Sequence, residues 1–144
     1  IKKDKAEPKI DPVESLPTGT ERILFVDDEE CIAATCNELL EYQGYKVTSV
    51  TSSIEALKIF KANPQEFDLV FTDQTMPEMS GAELAAELLK IRPGIPIILC
   101  SGYSGKVSEQ EARRIGVREF YLKPMDMEQL ARVARKVLDE DDVQ

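Results

Sequence analysis

Five short apolar runs constrain this chain more than any other feature, because each stops abruptly at a polar residue and a stretch of helical periodicity separates it from the next. The runs lie at 22–26, 45–50, 68–73, 95–100 and 117–122, and we label them β1 to β5. Runs such as Ile23-Leu24-Phe25-Val26 and Ile97-Ile98-Leu99 are continuously apolar rather than alternating, as expected of strands covered on both faces. The intervening segments read as helices. Segment α1, 30–44, carries Ile32, Cys36, Leu39 and Leu40 on one face, with Gly44 as its C-cap. Segments α2 (52–63) and α3 (80–91) each open on a capping box, Ser52 to Glu55 and Ser80 to Glu83. A thinner helix, α4, is expected over 108–115, and an apolar-faced α5 over 126–138. Strict alternation of strand and helix predicts a single doubly wound α/β domain, a five-stranded parallel sheet with five helices and right-handed crossovers. Periodicity alone leaves the strand order open.

The flanks differ in character. Residues 1–20 hold four lysines, three prolines and few apolar side chains, so they read as a linker or disordered tail. The domain itself spans 21–138, and 139–144 reads as a frayed acidic tail. A net charge of −9 argues against a direct nucleic-acid or anionic-membrane surface, since either needs a basic patch. No apolar run is long enough to span a bilayer. Three cysteines without zinc-site spacing read as reduced thiols in a cytoplasmic setting. The chain has no histidine, which removes histidine-based catalysis, histidine-metal sites and any role as a phosphohistidine donor.

The strand ends carry the chemistry. β1 delivers Asp27 and Asp28, β3 Asp73, β4 Ser101 and β5 Lys123. In a sheet built from βα crossovers all these ends lie at one edge, where ligands of open α/β folds bind. Each group alone has a plain structural explanation, such as a cap, a turn or a solvated charge; their joint placement does not. Clustered carboxylates repel one another unless a cation neutralises them. Hard oxygen ligands without histidine or thiolate select Mg²⁺, with Mn²⁺ as a substitute. A nearby ammonium and hydroxyl suit the remaining oxygens of a phosphoryl group. That equipment fits metal-assisted phosphoryl transfer, in which an aspartate can itself be the acceptor.

From 21 to about 138 the sequence resembles the receiver domain of two-component response regulators, a flavodoxin-like fold. The resemblance rests on Phe25-Val26-Asp27-Asp28-Glu29, on Asp73-Gln74-Thr75-Met76-Pro77 with Gly81, on Cys100-Ser101-Gly102 and on Lys123-Pro124. It implies strand order 2-1-3-4-5, Asp73 as phosphoacceptor and a Mg²⁺ ion held by Asp28, Asp73 and the backbone carbonyl of Thr75, with Asp27 acting through water. It implies catalytic roles for Lys123 and Ser101, a switch built on Ser101 and Phe120, and a cis Lys123–Pro124 bond. Thr75 and Tyr103 would flank the site. The implied partner is a histidine kinase or a histidine phosphotransfer domain, with homodimerisation through the α4–β5–α5 face as a further possibility.

On this reading the chain is a phosphoacceptor signalling domain that catalyses its own phosphorylation and dephosphorylation, rather than an enzyme acting on a separate substrate. A Mg²⁺-dependent aspartyl-phosphate hydrolase would place a second aspartate two residues after the nucleophile, where this chain has Thr75. A phosphorylation-independent binding module would lack an acceptor or a metal carboxylate, and none is lacking. A flavin-binding module of similar topology would need a Ser/Thr-rich loop after β1, where this chain has acids. No output domain fits after Leu138. The non-Met start and the Pro/Lys-rich lead-in favour the C-terminal receiver of a hybrid sensor histidine kinase over a stand-alone regulator.

Overall fold

A computed structural model of the chain describes residues 17–102, 109–123 and 126–143. The strands are β1 (Arg22–Val26), β2 (Lys46–Val50), β3 (Leu69–Asp73), β4 (Ile97–Ser101) and β5 (Glu119–Leu122). The helices are α1 (Glu30–Tyr42), α2 (Ser53–Ala62), α3 (Gly81–Ile91), α4 (Glu109–Ile115) and α5 (Met127–Val143). All pairings are parallel and the strands lie in the order β2-β1-β3-β4-β5, as the resemblance implies. Tyr103, the first residue expected in α4 (Ser108) and the Lys123–Pro124 bond fall partly or wholly outside the described residues.

Alternate strand residues feed two cores. Ile23, Phe25, Leu69, Phe71 and Ile98 point to the face covered by α1 and α5, where Leu40, Leu130 and Val137 close over them. Leu24, Val26, Val70, Ile97 and Leu99 point to the opposite face, against Phe60, Leu84 and Leu88 from α2 and α3. Both faces of the sheet are therefore apolar, which explains the continuous runs. The Phe25 and Phe71 rings meet across β1 and β3 with centroids 5.4 Å apart. Deleting either ring would cost about 3–5 kcal/mol, the usual range for truncating a buried aromatic. β3 is buried along its whole length, so its last residue, Asp73, is carried into the protein rather than out to solvent.

Caps place the helix ends. α1 closes in a Schellman motif: Tyr45 N–H donates to the Leu40 carbonyl at 3.1 Å and Gly44 N–H to Glu41 at 3.0 Å, with Gly44 at φ +108°. At α3 the capping box is complete, Ser80 and Glu83 each accepting the other's backbone N–H. At α2 the Ser52 hydroxyl accepts from Glu55 N–H but itself donates to Glu78, so the hydroxyl also links α2 to the loop after β3.

Two boundaries differ from expectation. α5 continues to Val143 instead of stopping at 138, because Asp139 pairs with Arg135 one turn earlier and turns an acidic residue into a helix contact. At the other end, residues 17–20 are docked. Gly19 N–H donates to the Gln43 carbonyl, the Gln43 side chain donates to the Pro17 carbonyl at 2.7 Å, and Arg135 reaches the Thr18 carbonyl at 3.1 Å. Arg135 also forks onto both oxygens of Glu21, at 3.1 and 2.9 Å. Composition hid this because backbone groups, not apolar side chains, make most of the contact.

Candidate functional site

The edge at the strand C-termini gathers the charged residues singled out in the sequence. One oxygen from each of Asp27, Asp28 and Asp73 lies within 4.8 Å of the others. Asp27 and Asp73 are buried, whereas Asp28 is exposed at the rim. Lys123 Nζ sits 2.8 Å from Asp73 Oδ1 and 3.5 Å from Asp27 Oδ2, so a single ammonium bridges two carboxylates.

Why these groups converge follows from local structure. β1 ends at Val26, and the next residues turn before α1, with Asp27 Oδ1 accepting from Glu29 N–H at 2.9 Å. Glu29 occupies the N-cap of α1 without any side-chain capping bond. The acidic run is thus not consumed in capping the helix. Lys123 follows β5, where its N–H donates to the Ser101 carbonyl at 2.7 Å and aims the residue back across β4 toward β3.

The cluster's electrostatics are unresolved within the protein. Burial raises the Asp73 carboxyl above its usual range; the Lys123 hydrogen bond pulls it down, but Asp27 and Asp28 push it up again, and the net direction is upward. Burial works against the Lys123 ammonium, yet the Asp73 hydrogen bond and the Asp27 charge outweigh it, so Lys123 is held more firmly charged. Among the described residues, one cation, Lys123, is set against these three carboxylates. The all-oxygen donor set, partly buried with one exposed member, fits a hard divalent cation that retains open positions.

The remaining expected residues take distinct places. Ser101 is buried at the end of β4, and its hydroxyl donates to the Gly102 carbonyl at 3.3 Å. Thr75 is exposed in the loop after β3, two residues past Asp73. Phe120 is half-buried on β5 and packs against the core on the α2–α3 side.

Gln74 is a supporting residue that sequence reasoning passed over. Its N–H donates to the Cys100 carbonyl at 2.8 Å, its carbonyl accepts from Gly81 N–H at 2.9 Å, and its side-chain oxygen accepts from Ala82 N–H at 2.8 Å. It therefore pins the loop carrying Thr75 to both β4 and α3. Gly81 makes this possible, since a Cβ there would lie 2.2 Å from the Asp73 carbonyl oxygen. The signal available in sequence was a polar residue directly after a buried strand, which is also what an ordinary turn looks like.

The fold has relatives among known proteins. The family model of the response regulator receiver domain matches residues 23–135. The chain is 32% identical over 136 residues to the sensor kinase CckA of Brucella abortus, covering 94% of this chain and 14% of that protein. It is 30% identical over 132 residues to the two-component response regulator ARR10 of Arabidopsis thaliana, covering 92% of this chain and 24% of that one. This chain therefore spans less than a quarter of the length of either relative. A receiver domain protein from Clostridium thermocellum superposes with a TM-score of 0.81 at 31% identity, covering 85% of this chain and 98% of that one. A CheY-like receiver protein from Methanospirillum hungatei gives 0.79 at 30%, covering 87% and 98%. With the family model spanning most of the described fold and the carboxylate cluster standing at its strand ends, the chain belongs to the response regulator receiver domain family.

Proposed function

We propose that this domain accepts a phosphoryl group on Asp73 from the phosphohistidine of a histidine kinase or a histidine phosphotransfer domain. The observation that carries this reading is the buried Asp73 carboxylate, placed against Asp27, Asp28 and the Lys123 ammonium. An Asp73 carboxylate oxygen attacks phosphorus, the P–N bond breaks, and its electron pair leaves on the donor imidazole, which ends protonated. Asp28, Asp73 and the Thr75 carbonyl would hold Mg²⁺, or Mn²⁺ in its place, with Asp27 acting through water. Bound there, the ion supplies charge neutralisation for the transferring group. Lys123, already on Asp73, pairs with a phosphoryl oxygen once the aspartate charge moves outward. Water attacking phosphorus removes the modification: the bond from phosphorus to the Asp73 oxygen breaks, the carboxylate is regenerated and inorganic phosphate leaves with the proton from water.

Readout follows from the position of the switch residues. The Ser101 hydroxyl, which donates to its neighbour's carbonyl, turns toward the phosphoryl group, and the half-buried Phe120 ring moves into the space this opens. Both lie on the side of the sheet that leads to α4, β5 and α5, the face through which a second copy would pair. The similarity to CckA, a sensor kinase much longer than this chain, supports the receiver of a hybrid kinase in the cytoplasm. A stand-alone single-domain response regulator is the alternative reading. No helix among the described residues is long and apolar enough to cross a membrane.

Intact mass after treatment with acetyl phosphate tests the chemistry. The expected result is one added phosphoryl group that requires Mg²⁺ and is absent from Asp73→Asn. A phosphoryl group retained on that variant would remove Asp73 as acceptor.

A further inference from the structure

The first turn of α3 depends on a residue outside the helix. A helix start leaves its first backbone N–H groups without partners inside the helix. The capping box satisfies two of them: Ser80 N–H donates to Glu83 Oε1 at 3.0 Å and Glu83 N–H to Ser80 Oγ at 3.1 Å. The two between, on Gly81 and Ala82, belong to buried residues, where an unpaired N–H is costly. Gln74 takes both, Gly81 N–H on its backbone carbonyl at 2.9 Å and Ala82 N–H on its side-chain oxygen at 2.8 Å. The loop residue next to Asp73 thus completes the cap of the following helix.

The same contacts fix the loop. With its own N–H on the Cys100 carbonyl at 2.8 Å, Gln74 is tied once to β4 and twice to α3. Met76 is buried in the core on the α2–α3 side. Thr75, exposed, is the single residue between these two anchors, so the peptide that carries its carbonyl has little freedom to turn. Rigidity of that kind separates two ions of equal charge. Mg²⁺ demands near-ideal octahedral geometry at about 2.0–2.1 Å, whereas Ca²⁺ accepts about six to eight oxygens at about 2.3–2.6 Å in looser arrangements. A fixed carbonyl penalises the ion that must push it outward. We propose that Gln74 is a positioning residue: its side-chain oxygen, by holding Ala82 N–H, keeps the Thr75 carbonyl in place and makes the site prefer Mg²⁺ to Ca²⁺. This role rests on the metal reading above, in which the Thr75 carbonyl is a ligand.

Separate titrations of Mg²⁺ and Ca²⁺ into the ¹⁵N-labelled chain test this by NMR. The signals followed are Asp28 and Met76, whose amide nitrogen is conjugated with the Thr75 carbonyl and reports on it directly. Wild type should show saturable Mg²⁺ shifts at both and bind Mg²⁺ more tightly than Ca²⁺. Gln74→Met, similar in length but without the acceptor, should weaken Mg²⁺ about tenfold, as loss of a group supporting a metal ligand does, and shrink the Met76 shift. Its Ca²⁺ affinity should move less than about threefold, because Ca²⁺ tolerates a displaced oxygen. Gln74→Glu restores an acceptor; its added charge strengthens both ions, so the ratio of the two affinities returns toward wild type. Gln74→Asn, one methylene short of Ala82, should lose the preference as Gln74→Met does, and replaces that variant if it does not fold. No Mg²⁺ shift in wild type overturns the metal reading, and this role with it. Mg²⁺ binding in wild type with an affinity ratio unchanged in Gln74→Met overturns this role alone. A residue that only caps α3 would give that second result, with a lowered denaturation midpoint and the ratio intact.

Discussion

The sheet has a charged cluster at each end, and the two are built on opposite terms. At the strand N-termini, Arg135 forks onto Glu21, pairs with Asp139, donates to the Thr18 carbonyl and lies 3.4 Å from the Tyr45 hydroxyl. Its hydrogen bond holds the Glu21 carboxyl below the usual range, outweighing burial, and the guanidinium is correspondingly harder to deprotonate. At the strand C-termini Asp73 moves the other way, its carboxyl raised by burial and by Asp27 despite a 2.8 Å contact with Lys123. A satisfied cluster stabilises the fold. A cluster whose carboxylate is pushed up despite its ion pair marks a candidate functional site rather than a structural ion pair.

Breaking each cluster should therefore move stability in opposite directions. Asp73→Asn has the largest effect, abolishing phosphorylation as measured by intact mass, yet in metal-free buffer it should raise the melting temperature, by about 1 kcal/mol in stability. Arg135→Ala should do the reverse. It leaves Glu21 half-buried without its partner and frees residues 17–20, for a loss of about 2 kcal/mol by denaturant titration, with acetyl phosphate labelling unchanged.

Gly44→Ala sharpens the contrast by leaving every charge in place. Position 44 has φ +108°, and a Cβ would lie 2.2 Å from the Gly19 carbonyl, so the change costs about 1–2 kcal/mol and should expose residues 17–20 to limited proteolysis.

The smallest effect is on pH dependence. Glu21 has a lowered folded-state value, so its contribution is present above the ordinary 4.5 and lost as pH falls through the lower, folded one. Asp73 has a raised value, so its contribution is present below the ordinary 3.8 and lost as pH rises through the higher, folded one. Acid titration of Arg135→Ala should lose the first slope, and that of Asp73→Asn the second; unchanged slopes in both would dissolve the contrast.

The sequence made one of these clusters legible and concealed the other. Asp27, Asp73, Ser101 and Lys123 each stand at the end of an apolar run, so identifying the strands located the site, and the parallel topology guaranteed a shared edge. Glu21, Arg135 and Tyr45 have no such marker. Arg135 is a lone cation on a charged helix, and its partners come from a segment that composition assigns to a tail. Gln74 was hidden for a related reason, since two of its three loop contacts are made by its backbone. The end of α5 was misplaced because a run of acids reads as solvated until the arginine one turn earlier is known to face it. Patterns of side-chain type reveal what a strand delivers; they do not reveal which backbone groups a distant side chain will satisfy.

The docked lead-in has a thermodynamic corollary. From Glu21 to Asp27 the chain runs along β1 for about 20 Å, at about 3.3 Å per residue. That is well beyond the roughly 7–10 Å past which substitutions that share no partner usually act independently. Free-energy changes made around Thr18–Glu21 and Arg135 should then simply add to those made around Asp73, with a coupling within about 0.5 kcal/mol in a double-mutant cycle. The anchor of the lead-in can drift through substitution while the reacting edge keeps its affinities, and the two ends of one five-residue strand can evolve as independent traits.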